Sequence, residues 1–133
     1  MIGIDTNVLL RLFSDDNPAQ AASAANLIDA QGPESIRVSN IVLAEMVWAL
    51  ARIYRQDKAR IIEILVLLLG REELVFEFRS AVKTALDWYE HGRADFADYL
   101  IAASNAAAGA EPTYTFDQMA ESHPAFAPVP MEP

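Results

Sequence analysis

Short β-prone runs alternate with longer helix-forming segments along this chain, and this alternation is the feature that most constrains its fold. Parallel strands need crossover helices, because a tight hairpin turn joins only antiparallel strands. The expected strands are residues 1–4, 36–38, 74–78 and 113–116, with a further edge strand at 125–129. The pattern predicts an α/β fold, a three-layer sandwich in which a central parallel sheet has helices on both faces.

Capping residues and helix breakers set the limits of the helices. Pro18 suits a first helical turn, Asp57 suits an N-cap, and Gly70 and Gly109 suit the positions just past a helix end. The expected helices are residues 8–13, 18–30, 41–54, 58–69, 80–91 and 95–108, with a short one after residue 117.

Size and composition predict one globular domain. A chain of 133 residues with 53% hydrophobic residues can bury a core by itself, and residues 1–133 contain no repeat or linker that divides them. The chain has no cysteine, so thiolate metal sites are excluded. The apolar run Ile61–Leu69 is too short to span a membrane, and Met1–Ile4 is too short for the apolar part of a signal peptide. We therefore expect a cytoplasmic protein with no membrane partner.

The formal net charge of −9 argues against a nucleic-acid partner. Nucleic acids bind mainly through lysine and arginine contacts to phosphates, which an acidic surface repels. The argument reverses only if the acids cluster around bound cations, because the cations change the local sign of the charge. The positions of the acids are therefore the decisive question.

Two of the acids directly follow predicted strands. Asp5 comes after the first strand and Asp117 after the strand at 113–116. Ligands of open parallel sheets bind at the carboxyl ends of the strands, so both side chains are expected at the same edge of the sheet. Aspartate is also a preferred N-cap, and a purely structural capping role is the alternative for each.

Asp95 and Asp98 are three residues apart, which places both side chains on one face of a helix. The alternative is a capping box, although that motif prefers Glu or Gln at its second position. The small residue Ala102 lies one turn after Asp98 and would let a ligand approach closely. We expect Asp98 to be functional and Asp95 to be structural.

Glu45 lies in the middle of a helix whose other residues are largely apolar. A buried carboxylate costs several kcal/mol unless a cation or hydrogen bonds compensate it. The alternatives are a salt bridge to Arg11 or Arg52, or simple exposure at an edge of the helix. We favour a metal ligand, because the other acids can gather around it.

A cluster of carboxylates suits a divalent cation. Like charges held close together resist ionisation, and Mg²⁺ or Mn²⁺ removes that conflict through the oxygen ligands that it prefers. Such an ion activates water and stabilises the charge of a scissile phosphate. This chemistry needs no catalytic histidine, and we expect His91 and His123 to be surface residues.

Several fragments, in this order, resemble the PIN-domain ribonucleases, and specifically the VapC-type toxins of toxin–antitoxin pairs. The fragments are Ile4-Asp5-Thr6-Asn7-Val8-Leu9, then Glu45 in the third helix, then the run from Ala94 to Ala103 that contains Asp95 and Asp98, and finally Thr115-Phe116-Asp117.

The resemblance implies a PIN fold and Mg²⁺- or Mn²⁺-dependent endonucleolytic cleavage of RNA. It also implies a homodimer and a small antitoxin protein that blocks the site. By position, the resemblance implies that the catalytic and metal-binding acids are Asp5, Glu45, Asp98 and Asp117. It implies that the supporting residues are Asp95, Thr6, Asn7 and Thr115.

The basic residues considered as RNA contacts are Arg11, Arg52, Arg55, Lys58, Arg60 and Arg93, and the candidates near the acids are Arg11 and Arg93. For most of the six we expect a solvated face or a salt bridge instead. One competing interpretation is a different Mg²⁺-dependent phosphoryl-transfer enzyme, such as an aspartyl phosphatase. Aspartyl phosphatases require a second aspartate at the position where this chain has Asn7. The second competing interpretation is a non-catalytic acidic interaction domain, in which the carboxylates are only caps and surface charge.

Overall fold

The computed structural model of this protein describes residues 1–131. The chain forms two compact units, Met1–Glu77 and Phe78–Pro133, and each is described by itself. The expectation that residues 1–133 act as one domain stays a prediction.

The first unit contains a three-stranded parallel sheet and four helices. Strand β2 lies in the centre, and Ile36 pairs with Ile2 of β1 on one side and with Leu74 of β3 on the other. Ile36 and Val38 are fully buried, because the central strand has a neighbour on each side. The elements are β1 (Ile2–Gly3), α1 (Thr6–Arg11), α2 (Pro18–Asp29), β2 (Ile36–Val38), α3 (Asn40–Arg52), α4 (Lys58–Leu69) and β3 (Leu74–Phe76).

Up to residue 131, the second unit contains three helices and a two-stranded parallel ladder. Thr113 of β4 pairs with Phe126 of β5, so the expected edge strand is confirmed. The two longer helices pack against each other and bury Phe96 and Tyr99. The elements are α5 (Arg79–His91), α6 (Phe96–Ala107), β4 (Thr113–Thr115), α7 (Gln118–Glu121) and β5 (Phe126–Pro128).

The helix limits follow the capping residues. Asp57 accepts a hydrogen bond from the Arg60 amide at 2.9 Å and begins α4. Gly109 has φ of 82°, a left-handed conformation that glycine adopts at little cost, and α6 ends just before it. Within the described range, no helix has the length and hydropathy needed to cross a membrane.

Candidate active site

Asp5 lies between the end of β1 and the start of α1. Its backbone is extended, and its Oδ1 accepts a hydrogen bond from the Val8 amide at 3.3 Å. Asp5 is therefore the N-cap of α1, as the structural alternative requires. Its side chain is also exposed, so the cap does not prevent the carboxylate from binding a ligand.

Glu45 of α3 is held by the first residue of α1. The Thr6 hydroxyl donates a hydrogen bond to Glu45 Oε1 at 3.0 Å, and this contact ties Glu45 to the residue next to Asp5. Glu45 is exposed, which means that the argument from a costly buried charge was wrong. Part of the apolar surface of α3 faces the core, whereas Glu45 lies with the exposed Ile41 and Trp48 on the side of the helix that faces solvent.

Thr6, Asn7 and Glu45 line the same open cavity of about 570 Å³ on the first unit. Asn7 is exposed, and it is the side chain that follows Thr6 on the short helix α1. The contacts of α1 with α3 bring these polar groups together. Thr6 and Asn7, the residues that follow Asp5, therefore lie beside Glu45 of the third helix.

Asp117 has the same local arrangement in the second unit that Asp5 has in the first. It follows strand β4, and its Oδ1 accepts from the Met119 amide at 2.9 Å to cap α7. The Thr115 hydroxyl accepts a hydrogen bond from the Asp117 amide at 2.9 Å. Thr115 therefore orients the turn that carries Asp117, while the carboxylate remains exposed.

Asp95 and Asp98 begin helix α6. Asp95 is the N-cap, and Asp98 Oδ2 accepts from the Asp95 amide at 3.3 Å, which is one half of a capping box. Burial raises the pKa of the Asp98 carboxyl, and the negative charges of Asp117 and Asp95 raise it further, against the opposing effect of the Asp95 amide. Asp98 thus has both a capping contact and acidic neighbours.

The side chain of Tyr99 packs closely against Gly92, in the segment that precedes Asp95. A Cβ atom at residue 92 would lie 1.8 Å from the hydroxyl oxygen of Tyr99. That hydroxyl accepts a hydrogen bond from the Ala94 amide at 3.1 Å, and Tyr99 is fully buried. The sequence suggests Gly92 only as a helix breaker, whereas the structure gives it a packing role beside Asp95.

Arg11 and Arg93, the candidate RNA contacts, differ in their surroundings. The Arg11 guanidinium donates to Gln20 at 2.7 Å and to the Tyr54 hydroxyl at 3.2 Å, and it lies 3.7 Å from Asp16. Arg11 therefore forms a salt bridge, but with Asp16 rather than with Glu45. Arg93 is exposed two residues before Asp95. An RNA contact of either residue stays a prediction.

The two histidines differ from each other. His91 is exposed, as expected. His123 is half-buried among the rings of Trp88, Tyr99 and Phe126, with centroid distances of 4.6, 5.6 and 6.3 Å. Burial lowers the pKa of His123. The expectation of a surface His123 was wrong, because its position before Pro124 does not reveal the aromatic residues of other elements that surround it.

A different group of side chains meets the distances of a three-ligand metal site within residues 1–131. Asp87, Glu90 and His91 of α5 place ligand atoms within 4.8 Å of one another. All three are exposed on one face of the helix, where such spacing is common without an ion. None of these three residues is a predicted metal ligand, so a substitution in this group is a control for substitutions of the predicted acids.

Each predicted acid offers the kind of donor that a hard divalent cation prefers. Every donor is a carboxylate oxygen, and Asp5, Glu45 and Asp117 are exposed to an incoming ion. Burial raises the pKa of Asp98 most, the neighbouring carboxylates of Asp117 and Asp95 raise it further, and a cation beside these carboxylates would lower it. Metal-assisted hydrolysis is chemistry that such oxygens can support.

A family model described as PIN domain matches residues 2–124 of this chain. The chain therefore belongs to the PIN domain family, which confirms the expected α/β PIN fold and supports a nuclease as the class of protein. Among solved structures, the chain is similar to the crystal structure of Mycobacterium tuberculosis VapC20, a sarcin-ricin loop cleaving toxin. That similarity has 18% sequence identity, 92% coverage of this chain, 94% coverage of that chain and a TM-score of 0.45. No curated protein matches the chain.

Proposed function

We propose that this protein is a metal-dependent endoribonuclease that acts as the toxin of a type II toxin–antitoxin pair. The reaction would be hydrolysis of an RNA phosphodiester by a water molecule activated at Mg²⁺ or Mn²⁺. Membership of the PIN domain family supports the nuclease class. The carboxylate donor set supports the metal.

The observation that carries the proposal is the environment of Asp98. Its carboxyl is half-buried, which raises its pKa, and the negative charges of Asp117 and Asp95 raise the pKa further. This arrangement disfavours the ionised state that a metal ligand needs. A divalent cation offsets that cost, so the arrangement is better suited to binding an ion than to stabilising the fold.

In the proposed mechanism, Asp5 and Asp98 would hold the metal directly, and Glu45 and Asp117 would complete the acidic set. A bound ion would lower the pKa of its water and stabilise the charge that develops on the phosphate. The Thr6 hydroxyl holds Glu45 Oε1 in one orientation through its 3.0 Å hydrogen bond. Thr115 does the same for the Asp117 turn through the Asp117 amide.

The proposed partners follow from the resemblance to VapC-type toxins. They are an RNA substrate, a small antitoxin protein that blocks the acids, and a second copy of the chain in a homodimer. We propose that the protein acts in the cytoplasm. The net charge of −9 implies that local basic groups, rather than the overall field, bind RNA.

The test is a cleavage assay with purified protein and structured RNA, in Mn²⁺, in Mg²⁺ and in EDTA. We expect metal-dependent cleavage that is lost in Asp5→Asn and in Asp98→Asn. Asp87→Asn is the matched control, because Asp87 is an exposed aspartate of the separate group on α5.

Each alternative predicts a different result. Cleavage that survives both substitutions indicates a contaminating nuclease and contradicts the proposal. Loss of cleavage in Asp87→Asn alone would assign the metal to α5 instead. Hydrolysis of small phosphate esters without any RNA cleavage would favour the phosphatase interpretation.

A further inference from the structure

One face of helix α3 is exposed along its whole length. The exposed residues are spaced four, three and four apart, as one stripe of an α-helix requires, and the remaining residues pack wholly or partly inward. We name this face the α3 stripe, and its side chains are Ile41, Glu45, Trp48 and Arg52, in that order. An acid, an aromatic ring and a base therefore follow one another along the helix.

Trp48 is the unusual member of the α3 stripe. Tryptophan is highly buried in most proteins, yet this side chain is 58% exposed. Trp48 lines the same open cavity of about 570 Å³ as Thr6, Asn7 and Glu45. An indole ring is thus available to an incoming molecule one helical turn from a proposed catalytic carboxylate.

Basic residues concentrate where the α3 stripe ends. Residues 52–60 contain four of the ten basic residues of the chain and one acid, so this segment has a formal charge of +3 in a protein of −9. We name residues 52–60 the basic segment, and its cations are Arg52, Arg55, Lys58 and Arg60. Arg60 is also ion-paired with Glu63 at 2.6 Å, so a phosphate contact of Arg60 would compete with this pair. Arg55 is exposed and has φ of 55°, a left-handed conformation that is uncommon for a residue with a Cβ atom.

We propose that the α3 stripe and the basic segment form a track for single-stranded RNA that leads to Glu45, in which Trp48 stacks on a base and the cations contact phosphates. This inference rests on the proposed function and names the surface that binds its substrate. Aromatic rings beside basic residues are the general means of binding single strands, because every base has a π-face that can stack. Overall charge does not favour RNA binding by this protein, but local charge does.

The order of side chains favours RNA over a protein partner. An apolar protein surface that covered Trp48 would also cover Glu45 and Arg52, which lie one turn away on either side. Burial of those charges is costly unless the covering surface supplies opposite charges, which an apolar surface does not. A nucleotide strand instead keeps its phosphates in solvent beside the arginine and places only a base against the ring.

The test measures binding separately from cleavage. A fluorescently labelled, 2′-O-methylated single-stranded RNA is titrated in EDTA, and its anisotropy gives the Kd for the full chain. We expect Trp48→Ala to raise the Kd about tenfold, and Trp48→Phe to retain most of the affinity because it keeps a stacking ring. We expect Arg55→Gln to reduce the slope of log K against log salt by about 0.7, the value for one phosphate contact with a single strand.

The matched control is Lys83→Gln, which removes an exposed cation of α5 that is outside the basic segment. We expect it to leave Kd and salt slope unchanged. Equal affinity of Trp48→Ala and the parent protein, or equal loss in Lys83→Gln, would overturn the track. So would a change of oligomeric state in Trp48→Ala without RNA, since the stripe would then be a contact between protein chains.

The cleavage assay separates failure of the track from failure of the proposed function. Metal-dependent cleavage by the parent protein, together with unchanged RNA binding in Trp48→Ala, would retain the nuclease and reject the track. A parent protein that neither binds the probe nor cleaves RNA would reject both.

Discussion

Replacement of Gly92 by alanine should cost several kcal/mol of folding free energy, because the new methyl group has no space. The added Cβ would lie 1.8 Å from the Tyr99 hydroxyl oxygen, 2.6 Å from its Cζ and 2.9 Å from the Trp88 carbonyl oxygen. Tyr99 is fully buried and cannot move into solvent. Its displacement would also break the 3.1 Å hydrogen bond that the Ala94 amide donates to it.

The magnitude follows from these two effects. Overpacking of a core costs about 1–3 kcal/mol, and an unsatisfied buried amide costs about 1–3 kcal/mol more. We therefore expect a loss of about 3–5 kcal/mol in Gly92→Ala, which corresponds to a fall in Tm of roughly 10–20 °C for a chain of this size. Urea denaturation followed by circular dichroism measures the free energy of unfolding directly.

A double-mutant cycle tests the cause. Tyr99→Phe removes the oxygen atom that is nearest to the added methyl group, so it should cost less in the Gly92→Ala background than in the parent, with a coupling of about 1 kcal/mol or more. Gly32→Ala is the control, since no atom lies within 4 Å of its added Cβ. A Gly92→Ala protein within about 0.5 kcal/mol of the parent would refute the close-approach argument.

Three further predictions concern individual side chains. Asp98→Asn should abolish cleavage and raise Tm at neutral pH, because a raised pKa means that the ionised carboxyl destabilises the folded state as pH rises through that pKa. This gain in Tm should vanish at low pH, where Asp98 is protonated. Thermal scans of both proteins across pH measure the difference in Tm, and a lower Tm of Asp98→Asn at neutral pH would contradict the reasoning. Thr6→Val should raise the Mn²⁺ concentration needed for half-maximal cleavage a few-fold, since a single hydrogen bond to Glu45 contributes about 1 kcal/mol, whereas Thr6→Ser should behave like the parent. His123 has a lowered pKa, and its Nδ1 accepts from the Ala125 amide at 3.0 Å, so protonation should cost stability as pH falls below about 6.5. That loss should be absent in His123→Phe when unfolding is measured between neutral and acidic pH.

Local sequence signals were sufficient to predict the secondary structure. Helix α4 occupies the expected residues 58–69, since Asp57 caps it and Gly70 follows it. Helix α1 begins at Thr6, two residues before the expected start, because Asp5 is its cap. Caps act through contacts within three or four residues, which are visible in the sequence.

Tertiary contacts were the part that the sequence did not reveal. The run of apolar residues in α3 suggested a buried Glu45, but the packing of neighbouring elements decides which side of a helix faces solvent. The environment of His123 depends on Trp88 and Tyr99, which are 35 and 24 residues earlier in the chain. The role of Gly92 depends on Tyr99 in the next helix.

Asp5 and Asp117 each accept a hydrogen bond from the first turn of a helix, so their orientation does not depend on a bound ion. The two carboxylates are thus held in place without an ion, so the proposed metal would bind with little further ordering. Chelation should therefore stop the proposed cleavage while circular dichroism stays unchanged. Alanine at either position would remove a cap as well as a carboxylate, at about 1 kcal/mol, whereas asparagine keeps the cap acceptor and isolates the loss of charge.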